Sequence, residues 1–233
     1  MQISIDEPKT LVELAYRQLR NDIIEGRLLP GERLRVEHIK GKYNVSAGTL
    51  REALALLVAD SLVVVRGQRG VHVTPISLRD IEDITRTRIL LETEALRQSL
   101  RAGDDDWEAA LLTSFHHLTR ADARLTANPD AGVHEWEERN RQFHQVLISA
   151  SPSHWVRHFL GILFRQSERY RRLNISTSAA PRDVHSEHQA IFEAALARDE
   201  DRAAALLTDH INATYEKLRS LPPSFFSESE HEP

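Results

Sequence analysis

The sequence predicts a mainly α-helical chain in two parts, an N-terminal winged helix-turn-helix and a C-terminal antiparallel bundle of about six helices. Three observations predict it. Three helical stretches are followed by two short β-branched runs, 62–65 and 71–74, closed around Gly67-Gln68-Arg69-Gly70. From Pro75 almost to the end, apolar residues recur at helical spacing. Composition agrees: aromatics are 6% of the 233 residues, while Leu, Ala, Arg and Glu are abundant.

The elements follow in order. Thr10 suits an N-cap with Glu13 three residues on, and Leu11, Leu14, Ala15, Leu19 and Ile23 keep helical spacing up to a stop at Gly26. Leu29-Pro30-Gly31 is a turn. A second short helix is expected over 35–42, although Gly41 weakens it. Ser46 suits the N-cap of a third helix over 47–60, with Leu50, Leu54, Leu57 and Val58 on one face. The two β-branched runs then form a hairpin that Pro75 ends. Helices are expected at 77–102, 105–127, 132–150, 153–172, 183–197 and 200–218. Their breaks are Gly103-Asp104, Asn128-Pro129, Ser151-Pro152, the polar run 174–181 and Arg198-Asp199. The expected domains are therefore 1–76 and 77–221, with a Pro-, Ser- and Glu-rich tail over 222–233 that reads as disordered.

Composition excludes several function classes. Cysteine is absent, which removes disulfide scaffolds, thiol nucleophiles and Cys-ligated metal sites. No apolar run approaches the roughly 18–20 residues needed to span a bilayer, and the polar, acidic stretch 1–10 does not read as a signal peptide. The expectation is a cytoplasmic protein with no membrane partner. Charge is uneven. Residues 1–75 hold eleven Lys/Arg and nine Asp/Glu, whereas the remainder hold 19 and 26 within a chain of net charge −5. The first part is thus the one suited to a polyanion.

A recognition helix needs a polar N-terminus that enters the major groove and apolar residues behind it. The run Val45-Ser46-Ala47-Gly48-Thr49-Leu50-Arg51-Glu52-Ala53-Leu54 has that layout. Ser46 and Thr49 can bond phosphates or base edges. Arg51, opposite Leu54 and Leu57, can fork onto guanine or phosphate. Arg35 opens the preceding helix, where a cation and a helix N-terminus together suit phosphate. Arg69-Gly70 at the hairpin tip allows close approach to a backbone, and Arg66 and Lys42 are peripheral candidates. Any one of these cations alone is more often a solvated surface charge; the ordered set favours DNA.

The segments Ile24-Glu25-Gly26-Arg27-Leu28-Leu29-Pro30-Gly31-Glu32-Arg33-Leu34, Val45-Ser46, Leu50-Arg51-Glu52-Ala53-Leu54 and Arg69-Gly70-Val71-His72-Val73 closely resemble the DNA-binding domain of GntR-family transcription regulators. The resemblance spans nearly all of 9–76. It implies that Arg35, Ser46, Thr49, Arg51 and Gly70 occupy the family's DNA-contacting positions. One departure is that Ala47-Gly48 follow Ser46, where the family often has Arg.

Twelve histidines are present, and helix phase singles out three. Trp136, Phe143 and Leu147 mark one inward stripe; Asn140 lies on it and His144 follows at i+4. His188 falls within the stripe Val184, Ile191, Ala195, and His210 within Ala203, Leu207, Thr214. One inward His is usually a hydrogen-bonded core residue. Three, with an amide oxygen beside one of them, suit a divalent metal bound by nitrogen and oxygen donors, zinc or nickel being candidates. Arg88 lies in the middle of the stripe Ile81, Ile84, Leu91, Ala95 and needs an anion. That anion is either an internal glutamate, Glu92 or Glu187, or the carboxylate of a ligand. His185 is a candidate for the pocket mouth, and the other histidines read as surface or packing residues.

Arg88-Ile89-Leu90-Leu91-Glu92, Asn140-Arg141-Gln142-Phe143-His144 and Glu187-His188-Gln189-Ala190-Ile191, running on to His210-Ile211, resemble the FadR-like branch of the same family with its FCD effector-binding domain. The resemblance covers about 77–218. Such domains often bind a metal through one Asp and three His, and the metal helps to hold a small organic acid. His144, His188 and His210 match the three His positions; Asn140 stands at the Asp position, a neutral and weaker ligand for a hard cation.

These readings imply a ligand-responsive transcription regulator, a homodimeric repressor of a catabolic operon that binds double-stranded operator DNA and answers to a small carboxylate. The alternative is a metal-dependent hydrolase built on His144, His188 and His210, which lacks a general base of the His-Glu-x-x-His kind and leaves the winged helix unexplained. A non-catalytic adaptor whose wing binds protein is the third reading.

Overall fold

A computed structural model of the chain describes residues 8, 10–177, 183–222 and 225–226, and the side chains of these except 129–131 and 173–177. They form two compact units, one comprising the described residues up to Ser77 with those from Pro222 on, the other Leu78–Leu221. Most of the expected tail lies outside the described residues.

In the first unit, α1 (Leu11–Ile24) starts at Thr10, whose side chain accepts the Glu13 backbone N–H at 3.1 Å. α3 (Ala47–Ala59) starts at Ser46 in the same way, with the Thr49 N–H at 3.1 Å. The two helices pack through Ala15, Leu19, Ile23, Leu50, Ala53, Leu54 and Leu57. Val58 is 38% exposed and Leu11 62%, so neither belongs to this core as the spacing suggests; Ala53 takes the inward position.

α2 is shorter than expected, Val36–Ile39 rather than 35–42. The chain leaves the helix so that Tyr43 can bury itself and donate to Asp22 at 2.7 Å, and Asn44 adopts φ 52°. The wing pairs β1 (Val63–Val65) antiparallel to β2 (Val71–Val73) in the register Val63↔Val73. A tight 3₁₀ turn at Gly67–Arg69 joins the strands, and Gly70 leaves it at φ 87°, a conformation that excludes most side chains. Beyond the expected hairpin, residues 31–34 hydrogen-bond to β2: the Leu34 N–H donates to Val71 at 2.8 Å and the Val73 N–H to Glu32 at 2.9 Å.

The second unit comprises α4 (Leu78–Ala102), α5 (Asp105–Ala127), α6 (Pro129–Leu147), α7 (His154–Thr177), α8 (Val184–Leu196) and α9 (Glu200–Arg219). Short acidic caps begin three of them: Asp104, Asp183 and Asp199 each accept a backbone N–H three residues on. α6 starts three residues earlier than expected because proline is favourable at a first helical position. α7 runs on to Thr177, through residues read as a polar loop; Asn, Ser and Thr weaken a helix without barring it. α5 lies against α6, and α4 against α9 and α7. The core contains Leu96, Leu111, Leu118, Phe143, Leu147, Ile191 and Leu207. The α5–α6 turn closes tightly at Gly132, where a Cβ atom would stand 2.7 Å from the Leu125 Cα.

Candidate metal centre and nucleic-acid interface

The three inward stripes meet. His144 from α6, His188 from α8 and His210 from α9 are all buried, and one donor atom from each lies within 4.8 Å of the others. Phe143, Trp136 and Phe164 wall the cluster: Phe143 meets His188 edge-on at 5.4 Å, and Phe164 lies 5.3 Å from His144. Three imidazoles this close repel if protonated, which favours neutral rings with lone pairs available.

Two carboxylates orient the rings. Glu92 Oε1 is 2.8 Å from His144 Nδ1, and Glu187 Oε2 is 2.8 Å from His210 Nδ1. Each contact places the ring proton on Nδ1 and the lone pair on Nε2, the arrangement that orients metal-binding histidines. Burial alone would raise the Glu92 carboxyl, but Arg88 and His144 hold it down to about 2. Burial pushes His144 below its ordinary value in spite of Glu92, so the pair is a carboxylate beside a neutral imidazole. Asn140, one turn before His144, is buried, and its Oδ1 has no hydrogen-bond partner among the described residues. A buried acceptor left in that state calls for a cation or a donor. Three nitrogen lone pairs, with an orphaned oxygen one turn before His144 on α6, therefore suit a divalent metal of zinc or nickel type.

Arg88 lies next to this cluster and is 6% exposed. Of its two expected partners it has the internal one: Nη2 donates to Glu92 Oε2 at 2.9 Å and Nε at 3.2 Å. The guanidinium stacks on Phe164 at 4.3 Å, and among the described residues Nη1 reaches only Ser167 Oγ, at 3.4 Å. Glu187, the other partner considered for Arg88, serves His210 instead. His185 turns to Asp122 at 2.9 Å and stacks on Phe115 rather than joining the cluster. Sequence reasoning missed the bridging role of Glu92. It lies 52 residues from His144, a separation with no local signature.

In the first unit, Arg35, Ser46, Arg51 and Arg69 are exposed, and Thr49 and Gly70 are partly so. Arg51 is exposed on the flank of α3, beside the face that buries Leu50, Ala53, Leu54 and Leu57. Ser46 Oγ stands 2.9 Å from Thr49 Oγ1, so cap and neighbour present one hydroxyl pair at the start of α3. Arg35 is the residue before α2. Lys42, a peripheral candidate, bonds Asp22 at 2.7 Å instead.

Comparison with known proteins agrees with this two-part fold. The bacterial regulatory proteins, gntR family, match residues 11–73, and the FCD domain matches residues 83–213. The chain belongs to the GntR family. Its second unit is an FCD domain, as in the FadR-like branch, and GntR regulators of this build are ligand-responsive, DNA-binding transcription regulators. Over 217 residues the chain is 48% identical to the HTH-type transcriptional regulator BphR of Paraburkholderia xenovorans, covering 93% of this chain and 89% of that protein. It is 34% identical to the HTH-type transcriptional repressor GlaR of Escherichia coli over 84% of this chain and 90% of that one. The solved GntR regulator from Rhodococcus sp. RHA1 shares the fold, with a TM-score of 0.72 at 22% identity over 91% of this chain and 99% of that one. With transcription regulators as its relatives, the hydrolase alternative finds no support. Among the described residues no helix is long and apolar enough to cross a membrane.

Proposed function

We propose that this GntR regulator represses a catabolic operon in the cytoplasm and releases it when a small organic acid enters the FCD domain. The carrying observation is the meeting of His144, His188 and His210 with ligand atoms within 4.8 Å, two of the rings oriented by Glu92 and Glu187. Asn140 and the three histidines would hold a divalent metal, which supplies positive charge for a ligand carboxylate. Arg88 would hold the same carboxylate through Nη1, the edge Glu92 leaves least engaged.

On the DNA side, Arg51, Ser46 and Thr49 would read the major groove, while Arg35, Arg69 and the backbone at Gly70 hold phosphates. A homodimer would place two recognition helices about 34 Å apart on a near-palindromic operator. The dimer surface we assign to the FCD domain is the face where Leu90 is 71% exposed and Trp155 61%, beside a groove of about 530 Å³ lined by Ile89, Leu91, Ala95 and Val156.

The test combines metal analysis of chelator-free protein with melting scans and operator gel shifts across candidate organic acids. The expected result is bound metal, an acid that raises the melting temperature and the same acid releasing DNA. His188→Ala should lose metal and acid response and keep operator binding. If neither metal nor acid stabilises the wild type and His188→Ala behaves like it, the three histidines are core residues only.

A further inference from the structure

We propose a second ligand site on the outer face of the FCD domain, a phosphate-binding pocket between α5 and α6. His117, Arg120 and Arg124 stand at i, i+3 and i+7 on α5, and Glu135 and Arg139 at i and i+4 on α6. Together they line a single concavity of about 220 Å³. Three arginines and a histidine thus line one space with one glutamate, in a domain whose net charge is negative.

The internal partners leave charge over. Glu135 forms an ion pair with Arg124. Arg139 Nη1 donates to the neutral amide of Gln142 at 2.8 Å. Arg120 makes no ion pair or hydrogen bond among the described residues. Solvated surface arginines ordinarily diverge, because like charges repel. Here arginines from two helices, Arg120 and Arg124 on α5 and Arg139 on α6, line the same concavity. His117 registers the resulting field: burial first, then Arg139, His116 and Arg120, push its imidazolium below the ordinary value. With that ring neutral, the pocket carries a net charge of about +2, which a phosphate monoester dianion matches. Forked donors arriving from two helices suit its several oxygens better than the two of a single carboxylate. The occupant we assign is a small molecule carrying a phosphate group. A passing duplex would meet the carboxylate of Glu135 inside the pocket and that of Glu138 beside it.

This site is separate from the histidine centre. Arg139 and Asn140 are neighbours on α6, yet Asn140 is buried while Arg139 lines the outer pocket. The proposal therefore stands or falls independently of metal binding.

The experiment titrates inorganic phosphate, and separately a sugar phosphate, into the full-length protein at constant ionic strength. Calorimetry and the NMR titration of the His117 ring are the readouts, with chloride as control. The expected result is saturable binding with the His117 pKa raised, since a bound anion favours the imidazolium. Arg120→Ala should weaken binding about tenfold, the loss of one charge-assisted hydrogen bond. Arg120→Ala with Arg139→Ala should abolish both binding and the His117 shift. His188→Ala should keep both. Tighter binding of the sugar phosphate assigns the site to a phosphorylated metabolite, and equal binding assigns it to free phosphate. An equal response to chloride, unchanged affinity in the double variant, or displacement of phosphate by short duplex DNA would overturn the proposal.

Discussion

Glu92 and His144, on α4 and α6, are joined inside the FCD domain by a 2.8 Å hydrogen bond to His144 Nδ1, while the other carboxylate oxygen of Glu92 carries Arg88 at 2.9 Å. One buried carboxylate thus sets the tautomer of a candidate metal ligand and neutralises a candidate effector cation. Glu92→Gln keeps the shape and removes the charge. Metal affinity should fall about 10–100-fold, as when other carboxylates behind ligating histidines are removed. Stability should fall by about 3–5 kcal/mol, because Arg88 is left buried without its counter-ion. A chelator competition and a melting scan check the two effects separately, and wild-type values in both would refute this role for Glu92.

Arg51→Ala should abolish specific operator binding without unfolding the winged helix. Arg51 is exposed on α3, at the edge of its buried face. Losing one forked base contact costs about 1–3 kcal/mol of discrimination. The salt dependence of binding should also become shallower if the contact includes a phosphate. Gel shifts with circular dichroism decide it; an unchanged operator affinity sinks the assignment.

Asp22 gives the winged unit a defined response to acid. It is buried and accepts hydrogen bonds from Arg27 at 2.6 Å and from Tyr43 and Lys42 at 2.7 Å. Burial raises its carboxyl, and the bonds from Lys42, Tyr43 and Arg27 more than offset this, so it titrates below its ordinary value. A depressed folded value contributes stability above the ordinary carboxylate range, and that stability is lost as pH falls through the folded value. Asp22→Asn should therefore cost about 1.5–3 kcal/mol at neutral pH. The gap to wild type should narrow below about pH 4. Urea midpoints of both proteins across that range test it, and a gap independent of pH would contradict it.

Gly132→Ala opposes two effects of known sign. Alanine in a helix is worth about 1 kcal/mol over glycine. Here its Cβ would meet the Leu125 Cα at 2.7 Å, a backbone atom that cannot swing aside. Overpacking of that kind costs about 1–3 kcal/mol, so the net effect should be destabilising. A raised melting temperature would show that the α5–α6 turn relaxes.

Leu90→Asp combined with Trp155→Asp should convert a dimer into a monomer while leaving the FCD domain folded, since both side chains are largely exposed. Sedimentation at micromolar concentration reads this directly. A variant that still sediments with the wild type would move the dimer surface elsewhere.

The order of elements and the faces that point inward are legible in the chain alone. Caps at Thr10 and Ser46, the break at Gly103-Asp104 and the helical period of the bundle are local properties, so they could be read from neighbours in the chain. For the same reason, Asn140, His144, His188 and His210 could be placed on inward stripes without coordinates. Local information failed where a distant partner overrode it. α2 stops at Ile39 because Tyr43 is drawn to Asp22, and Val58 is left outside by the way α3 meets α1. How the inward groups pair was settled by the packing of the helices. It gave Glu92 to His144, Glu187 to His210 and His185 to Asp122, and it brought three helix faces together at one point. Those choices depend on helix rotation and axial offset, set by the packing of side chains far apart in sequence such as Phe143, Ile191 and Leu207.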